Sequence, residues 1–373
     1  MSETFMYHQV KSLSDKYDVH LIARKFANPH GYDLDSFDKT VVKSPANFLD
    51  RVAGKLIRMY YKSDLNIGLQ TYSQLRKLLK EGNCKAIHAH FGPKALEILG
   101  FAKKFGVPLV VTFHGYDASQ MLRDETYANR LPELFDYASA IIIVSGHMRE
   151  TMNLEQWKDK VFLIPCSVDP AQFSVNGEHK PSDTINILHS GRLVGQNGVP
   201  DIIRVFGDLS RKYNNITLHI AGDGRELERC RQLANEFNID DIVTFYGSVP
   251  HSKVRELLGN ADIFVLNSRV DEKGDMEGTP VSILEAMCME KAVVSTRHAG
   301  IPYVIEDGKN GLLADEYAND QLKQQIEKLI RSRSLRKKLG EEAGKTVRNS
   351  FSTDVMRDKL QEVFDSIEGT LPS

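Results

Sequence analysis

The chain has 373 residues, 41% hydrophobic and 26% charged, enough to bury substantial cores and long enough for two domains. A formal net charge of −2 argues against a nucleic-acid protein defined by overall basicity, so an electrostatic partner must be met by a local patch. Cys84, Cys166, Cys230 and Cys288 lack C-x-x-C or zinc-type spacing, which points to reduced thiols. With no run of about 20 apolar residues and no signal-peptide pattern, a soluble, cytoplasmic protein is expected.

In chain order, Ser2 can cap a helix over Glu3–Leu13, and Tyr17–Ala23 reads as a strand. Residues 27–47, with Pro29-His30-Gly31 and Ser44-Pro45, read as a loop. Phe48 to Lys62 reads as a helix that places Arg51, Lys55, Arg58 and Lys62 on one side, with Phe48, Val52, Leu56, Met59 and Tyr60 beside or opposite them. Such a stripe is either the solvated face of a packed helix or a surface for an anionic membrane. Helices over Tyr72–Glu81, Pro93–Phe105 and Leu131–Tyr137 then alternate with strands at Ala86–His90, Leu109–Thr112 and Ala140–Val144, and Val161–Pro165 closes the set. This alternation predicts a parallel α/β sheet, with ligands beyond the carboxyl ends of its strands. His90-Phe91-Gly92, His114-Gly115 and Ser145-Gly146 fall at those ends, and one of His88 and His90 is expected to be buried and structural. Pro170, Asn176-Gly177 and Pro181 mark a polar connection. Strands resume at Ile185–Ser190, Ile216–Ile220, Val243–Tyr246, Ile263–Val265 and Ala292–Ser295. The expected division is a domain over residues 1–170, a linker over 171–184, a second domain over 185–350 and a closing helix over 351–373.

The stretch from Asp275 to Glu285 carries the most chemistry. Glu277 and Glu285 bracket a Gly278-Thr279-Pro280 turn, and proline suits the first turn of a helix beginning there. Val281, Leu284 and Cys288 would share its buried face. The free N–H groups and positive dipole end of that helix favour a phosphate, so the stretch reads as a clamp for an elongated anion with hydroxyls at both ends, such as a nucleotide sugar. Read blandly, it is an amphipathic helix with an acidic first turn. Eight helical steps would separate the carboxyls by roughly 12 Å, too far for the pair of a retaining hydrolase, which stand about 5 Å apart. Ahead of it, Gly191-Arg192 ends a strand and lets the guanidinium reach a diphosphate.

Glu277 and Glu285, eight positions apart, resemble the E-x7-E motif of retaining family-4 glycosyltransferases with the two-domain GT-B fold. Gly191-Arg192-Leu193-Val194, Ala221-Gly222-Asp223-Gly224 and Thr112-Phe113-His114-Gly115-Tyr116-Asp117 agree with that family. The opening Ser2-Glu3-Thr4-Phe5 is similar to the start of bacterial members that build colanic-acid-type exopolysaccharides. The resemblance implies an α/β fold of two Rossmann-like, doubly wound parallel-sheet domains facing a cleft, with a C-terminal helix after Phe351-Ser352 crossing back to the first domain. Ser352 could cap that helix. Members carry a strand and a glycine-bearing loop ahead of the Ser-Glu-Thr-Phe segment, which only Met1 precedes here. A missing central strand, through a misplaced start codon or a trimmed chain, is therefore expected.

The resemblance also implies roles. Glu277 would bind the donor sugar, Glu285 the ribose, and His114 the sugar from the first domain. Gly191 and Arg192, with the N–H groups of Gly278, Thr279, Pro280's turn and Val281, would face the diphosphate. Gly222, Gly224 and the Val249 backbone would frame base and ribose. Two positions depart from the family: Asn197 stands before Gly198 where a lysine facing the diphosphate is usual, so that the resemblance places an uncharged donor against the diphosphate, and Tyr303 stands where a glutamate is usual. No metal and no resident cofactor are implied, and the sequence's one D-x-D, Asp33-Leu-Asp35, lies in the first domain. The implied reaction is front-face displacement from a nucleotide-diphosphate sugar onto a glycan or lipid-linked saccharide, without nucleic acid. An anionic membrane could be met through Arg51, Lys55, Arg58 and Lys62, placing the protein peripherally on the inner face of the plasma membrane. A sugar-nucleotide epimerase or phosphorylase, or an inactive or partner-dependent subunit, remain as alternatives.

Overall fold

A computed structural model describes residues 4–26, 33–80, 84–174 and 183–368. Ser2 and Glu3, Pro29-His30-Gly31, Glu81, Asn176-Gly177 and Pro181 lie outside the described residues. The chain divides into two compact units, one of Met1–Ile164 with Arg357–Ser373, the other of Pro165–Met356.

In the first unit, β1 (His20–Ala23) pairs with β2 (Asp38–Val41), and β3 (Ile87–His90), β4 (Leu109–Phe113), β5 (Ala140–Ile143) and β6 (Val161–Leu163) form a second sheet in that order. All of these pairings are parallel. Every residue of β4 and β5 is buried, as continuous apolar runs covered on both faces should be. Strand β2 corrects the loop expected over residues 27–47. Its Asp-Lys-Thr-Val sequence carries too little apolar alternation to stand out, and only Thr40 is buried. His88 and His90 also need correction. Two residues apart on a strand, they share a face, with rings 4.4 Å between centroids, while Ala89 faces the core.

The second unit holds one six-stranded sheet, ordered β12-β11-β10-β7-β8-β9. Its strands are β7 (Ile185–Ser190), β8 (Ile216–Ala221), β9 (Val243–Gly247), β10 (Ile263–Val265), β11 (Ala292–Thr296) and β12 (Leu312–Ala314), all parallel. The three-residue β12 was not anticipated from sequence. The order runs outward from β7 through β8 and β9 on one side, and through β10 to β12 on the other. The second unit is therefore a doubly wound α/β sheet, with its topological switch point between β7 and β10. Ile187, Phe206, Leu218, Ile263, Val294 and Leu329 are among the side chains of its core. The helix Thr353–Glu368 starts with the Val355 N–H donating to Ser352 Oγ at 3.4 Å.

Candidate active site

The turns that leave β7 and β8 are built as one piece. Gly191 N–H donates to Ala221 O at 3.0 Å, Leu193 N–H to Asp223 O at 2.9 Å, and Glu226 N–H to Leu193 O at 2.9 Å. A Cβ on Gly222 would run into the Gly191 carbonyl, and one on Gly224 into the Leu193 carbonyl. Both positions need glycine because neighbouring backbone occupies the side-chain space. Arg192 extends outward from this paired turn, exposed. Asn197, expected to face a diphosphate, is instead 4% exposed and turned inward, its Nδ2 donating to the Arg192 carbonyl at 2.7 Å. Here it braces the turn that carries Arg192.

Glu277 lies in the loop after β10, across the switch point from that turn. Its carboxylate accepts from Gln196 Nε2 at 2.7 Å, which ties the two loops together. Gln196 is held in turn by Arg269, whose N–H donates to Gln196 O at 2.8 Å and whose Nε donates to Gly195 O at 3.1 Å. The backbone of Glu277 is fixed separately, its N–H donating to Nε2 of buried His298 at 3.1 Å. His298 Nδ1 stands 2.8 Å from Glu316 Oε1, and Glu316 Oε2 accepts the Val270 N–H at 2.9 Å. Beside Glu277, burial pushes the Asp275 carboxyl up to about 6. Repulsion from Glu277 and Asp271 adds to that, while Arg192 opposes it. Negative charge is thus concentrated around Glu277, with one arginine close by.

The helix Val281–Cys288 follows, with Pro280 at its N-cap position and no side-chain capping bond. Its first bond runs from Ile283 N–H to Pro280 O at 3.1 Å, so the N–H groups of Val281 and Ser282 precede the intrahelical ladder. From Ile283 to Cys288 every residue is buried, whereas Val281 is only half-buried and does not join the core face expected of it. The reason is position: it opens the helix at the carboxyl edge of the sheet, where cover ends. Glu285 is 5% exposed, and burial pushes its carboxyl up to about 8. The His251 imidazole stands 3.7 Å from Glu285 Oε1, at the start of helix His251–Asn260. Half-buried Val249 lies in the loop before that helix, two residues past Gly247, whose carbonyl accepts the Gly222 N–H at 2.8 Å. The turns of β7 and β8, the Glu277 loop and the Glu285 helix therefore lie together at the carboxyl edge of one sheet.

In the first unit, His114 follows β4. Its Nε2 is 3.1 Å from His90 Nδ1, and its backbone N–H donates to Asp117 Oδ1 at 2.9 Å. Asp117 Oδ2 accepts the Gly92 N–H at 2.9 Å, so one buried carboxyl ties the ends of β3 and β4. Desolvation first, then proximity of His90 and His88, hold His114 well below the usual imidazole range. His114 is therefore neutral, and can donate one hydrogen bond and accept one.

Gln196, His298, Glu316 and His251 were not singled out from the sequence. His298 stands just past the end of β11, a position that could have drawn attention. Tyr303, the departure from the family five residues later, is half exposed and packs edge-on against Phe351 at 5.9 Å between centroids.

Comparison with known proteins agrees with this architecture. The sequence model described as Glycosyltransferase Family 4 matches residues 2–172, and the one described as Glycosyl transferases group 1 matches residues 172–346. WcaL of Escherichia coli K12, named for colanic acid biosynthesis, is 26% identical over 345 residues, covering 84% of each chain. AmsK of Erwinia amylovora, named for amylovoran biosynthesis, is 25% identical over 363 residues, again covering 84% of each. The solved structure of Anabaena Alr3699/HepE in complex with UDP and glucose shares the fold with a TM-score of 0.79 at 15% identity, over 98% of this chain and 97% of that one. With the two models together matching residues 2–346, the chain belongs to the family-4 glycosyltransferases, and its fold is GT-B.

Proposed function

We propose that the protein transfers a sugar, with retention of anomeric configuration, from a nucleotide-diphosphate donor to a hydroxyl on a glycan or lipid-linked saccharide. The setting we propose is cytoplasmic synthesis of a cell-surface polysaccharide or exopolysaccharide, in keeping with the names of WcaL and AmsK. The observation that carries the reading is the convergence of Arg192, Glu277 and the first turn of helix Val281–Cys288 at the switch point, joined by the Gln196–Glu277 hydrogen bond.

In this reading the bond from the anomeric carbon to the diphosphate oxygen breaks while the acceptor oxygen bonds to the same face of that carbon. The acceptor's proton passes to a diphosphate oxygen. Arg192 and the N–H groups of Val281 and Ser282 would offset the charge that grows on the leaving diphosphate, the electrostatic work such a step needs. This would require neither a metal ion nor a resident cofactor. Glu277, its backbone and carboxylate both held, would orient donor-sugar hydroxyls. Glu285, a buried acid, would pair with ribose hydroxyls, and neutral His114 would contact the donor sugar.

Thermal-shift screening against nucleotide sugars identifies a donor, and calorimetry on two variants then tests the roles. Glu285→Ala should bind free nucleoside diphosphate about tenfold more weakly, the loss of one good hydrogen bond. Glu277→Ala should weaken the nucleotide sugar and spare the free diphosphate. Equal losses of both ligands in both variants would defeat these assignments. Product analysis with labelled donor separates transfer, which consumes an acceptor, from epimerisation, which does not.

A further inference from the structure

The helix Phe48–Tyr61 in the first unit has three faces rather than two. Gly54, Ile57 and Tyr61 are buried, and Tyr61 stacks on Phe101 with ring centroids 4.3 Å apart. At about 3.6 residues per turn, Phe48 lies opposite Ile57 and Met59 opposite Tyr61. The side directed away from the core is therefore apolar, and it is bare: Phe48 is 75% exposed, Leu49 76%, Leu56 60%, Met59 67% and Tyr60 64%. A packed helix normally turns its polar side outward. This one puts its polar side on the flank, where Arg51, Lys55, Arg58 and Lys62 are all exposed. On the opposite edge of the apolar strip, the ammonium of Lys104 sits 4.6 Å above the Tyr60 ring.

Charge is segregated here as well. From Phe48 to Lys62 there are four basic side chains against one acidic, a net of +3 in a chain whose total is −2. The one acid, Asp50, is turned into the backbone, accepting the N–H groups of Ala46 at 2.9 Å and Leu69 at 2.7 Å. An apolar strip edged by cations matches a bilayer surface, with acyl chains beneath and anionic headgroups alongside. It matches a second copy poorly, because a two-fold contact would press one +3 face against another. Among the described residues, no helix is long and apolar enough to cross a membrane.

We infer that this helix is a docking surface for an anionic lipid bilayer, lying in the plane of the interface with Phe48, Leu49, Leu56, Met59 and Tyr60 inserted and the basic row on the headgroups. The inference does not depend on the transfer reaction, and it goes beyond the charge stripe legible in the sequence by assigning the insertion to apolar side chains. Hydrophobic insertion and electrostatic attraction respond differently to salt, so the two contributions can be separated.

The test is sedimentation of the full chain with vesicles of phosphatidylglycerol mixed with phosphatidylcholine, and with phosphatidylcholine alone. Binding is expected on the mixed vesicles, strongest at low salt and reduced at roughly 0.3 M, where screening shortens to a few ångströms. Lys55→Glu/Arg58→Glu should bind at least about twentyfold more weakly, since each basic side chain near an anionic surface is worth a factor of about five. Leu56→Ser/Met59→Ser should bind about tenfold more weakly. What remains should vanish at the higher salt, where the wild type still holds through its apolar side chains. All four positions are exposed, so melting temperature and nucleotide binding should stay at wild-type values in both variants. The inference is overturned by equal binding to neutral vesicles, by wild-type binding in either variant, or by a dimer that Leu56→Ser/Met59→Ser dissolves while vesicles are ignored.

Discussion

His298 accepts the backbone N–H of Glu277 at 3.1 Å on Nε2, while its Nδ1 lies 2.8 Å from Glu316. An Nε2 that accepts carries no proton, so the proton is on Nδ1 and is donated to the carboxylate. Glu316 thereby sets the tautomer that holds the Glu277 loop. Glu316→Ala is expected to lower kcat/KM for the nucleotide sugar about tenfold, the equivalent of one hydrogen bond of ~1.4 kcal/mol. Glu316→Gln keeps one acceptor oxygen of two and should fall between that variant and the wild type. Steady-state kinetics on the three proteins check the order, and equal rates would mean that the strut does not position Glu277.

Glu285 predicts a pH dependence of stability. Burial raises its carboxyl from the ordinary 4.5 to about 8. Between those values the folded chain keeps a proton that the unfolded chain releases. The group's contribution is therefore full below about pH 4.5 and is lost as pH rises through about 8, at up to roughly 1.4 kcal/mol per pH unit. Glu285→Gln removes this dependence. Its melting temperature should exceed the wild type's by more at about pH 8 than at about pH 5, and a gap independent of pH would refute the shift.

Gly222 and Gly247 both have positive φ, +150° and +66°, and differ in what surrounds them. An alanine in place of Gly222 would meet the Gly191 carbonyl, whereas Gly247 has nothing within 4 Å of an added Cβ. Gly222→Ala should cost about 2–4 kcal/mol, and Gly247→Ala only about 1 kcal/mol for its positive φ. Denaturant unfolding of both variants measures the difference, and similar costs would deny the interlocked turns.

Asn197 tests what replaces a cation at this position. Removing its amide in Asn197→Ala leaves the Arg192 carbonyl without that donor and should cost about 1 kcal/mol. Asn197→Asp keeps the shape but sets a carboxylate against a carbonyl in a buried place, and should cost about 2–3 kcal/mol. An aspartate variant as stable as the wild type would show that the side chain faces solvent or ligand instead.

The strands β4, β5 and β10 were legible in the sequence because an apolar run between turns is a local signal. The Glu277–Glu285 spacing and the helix that opens after Pro280 were legible for the same reason. Strands β2 and β12 were not, since their pairing comes from neighbours rather than from alternation within three or four residues. Only the tertiary structure decided that Asn197 turns inward, because the carbonyl it meets belongs to a turn whose shape depends on Gly222 and Gly224. Only it joined His298 and Glu316, 18 residues apart, beneath the Glu277 loop. The helix Phe48–Tyr61 shows the division most plainly. Its sequence determined that basic and apolar side chains occupy separate faces, since helical geometry follows from spacing. Which of those faces the core would cover depends on Phe101 and the elements around it, and no spacing within the helix encodes that choice.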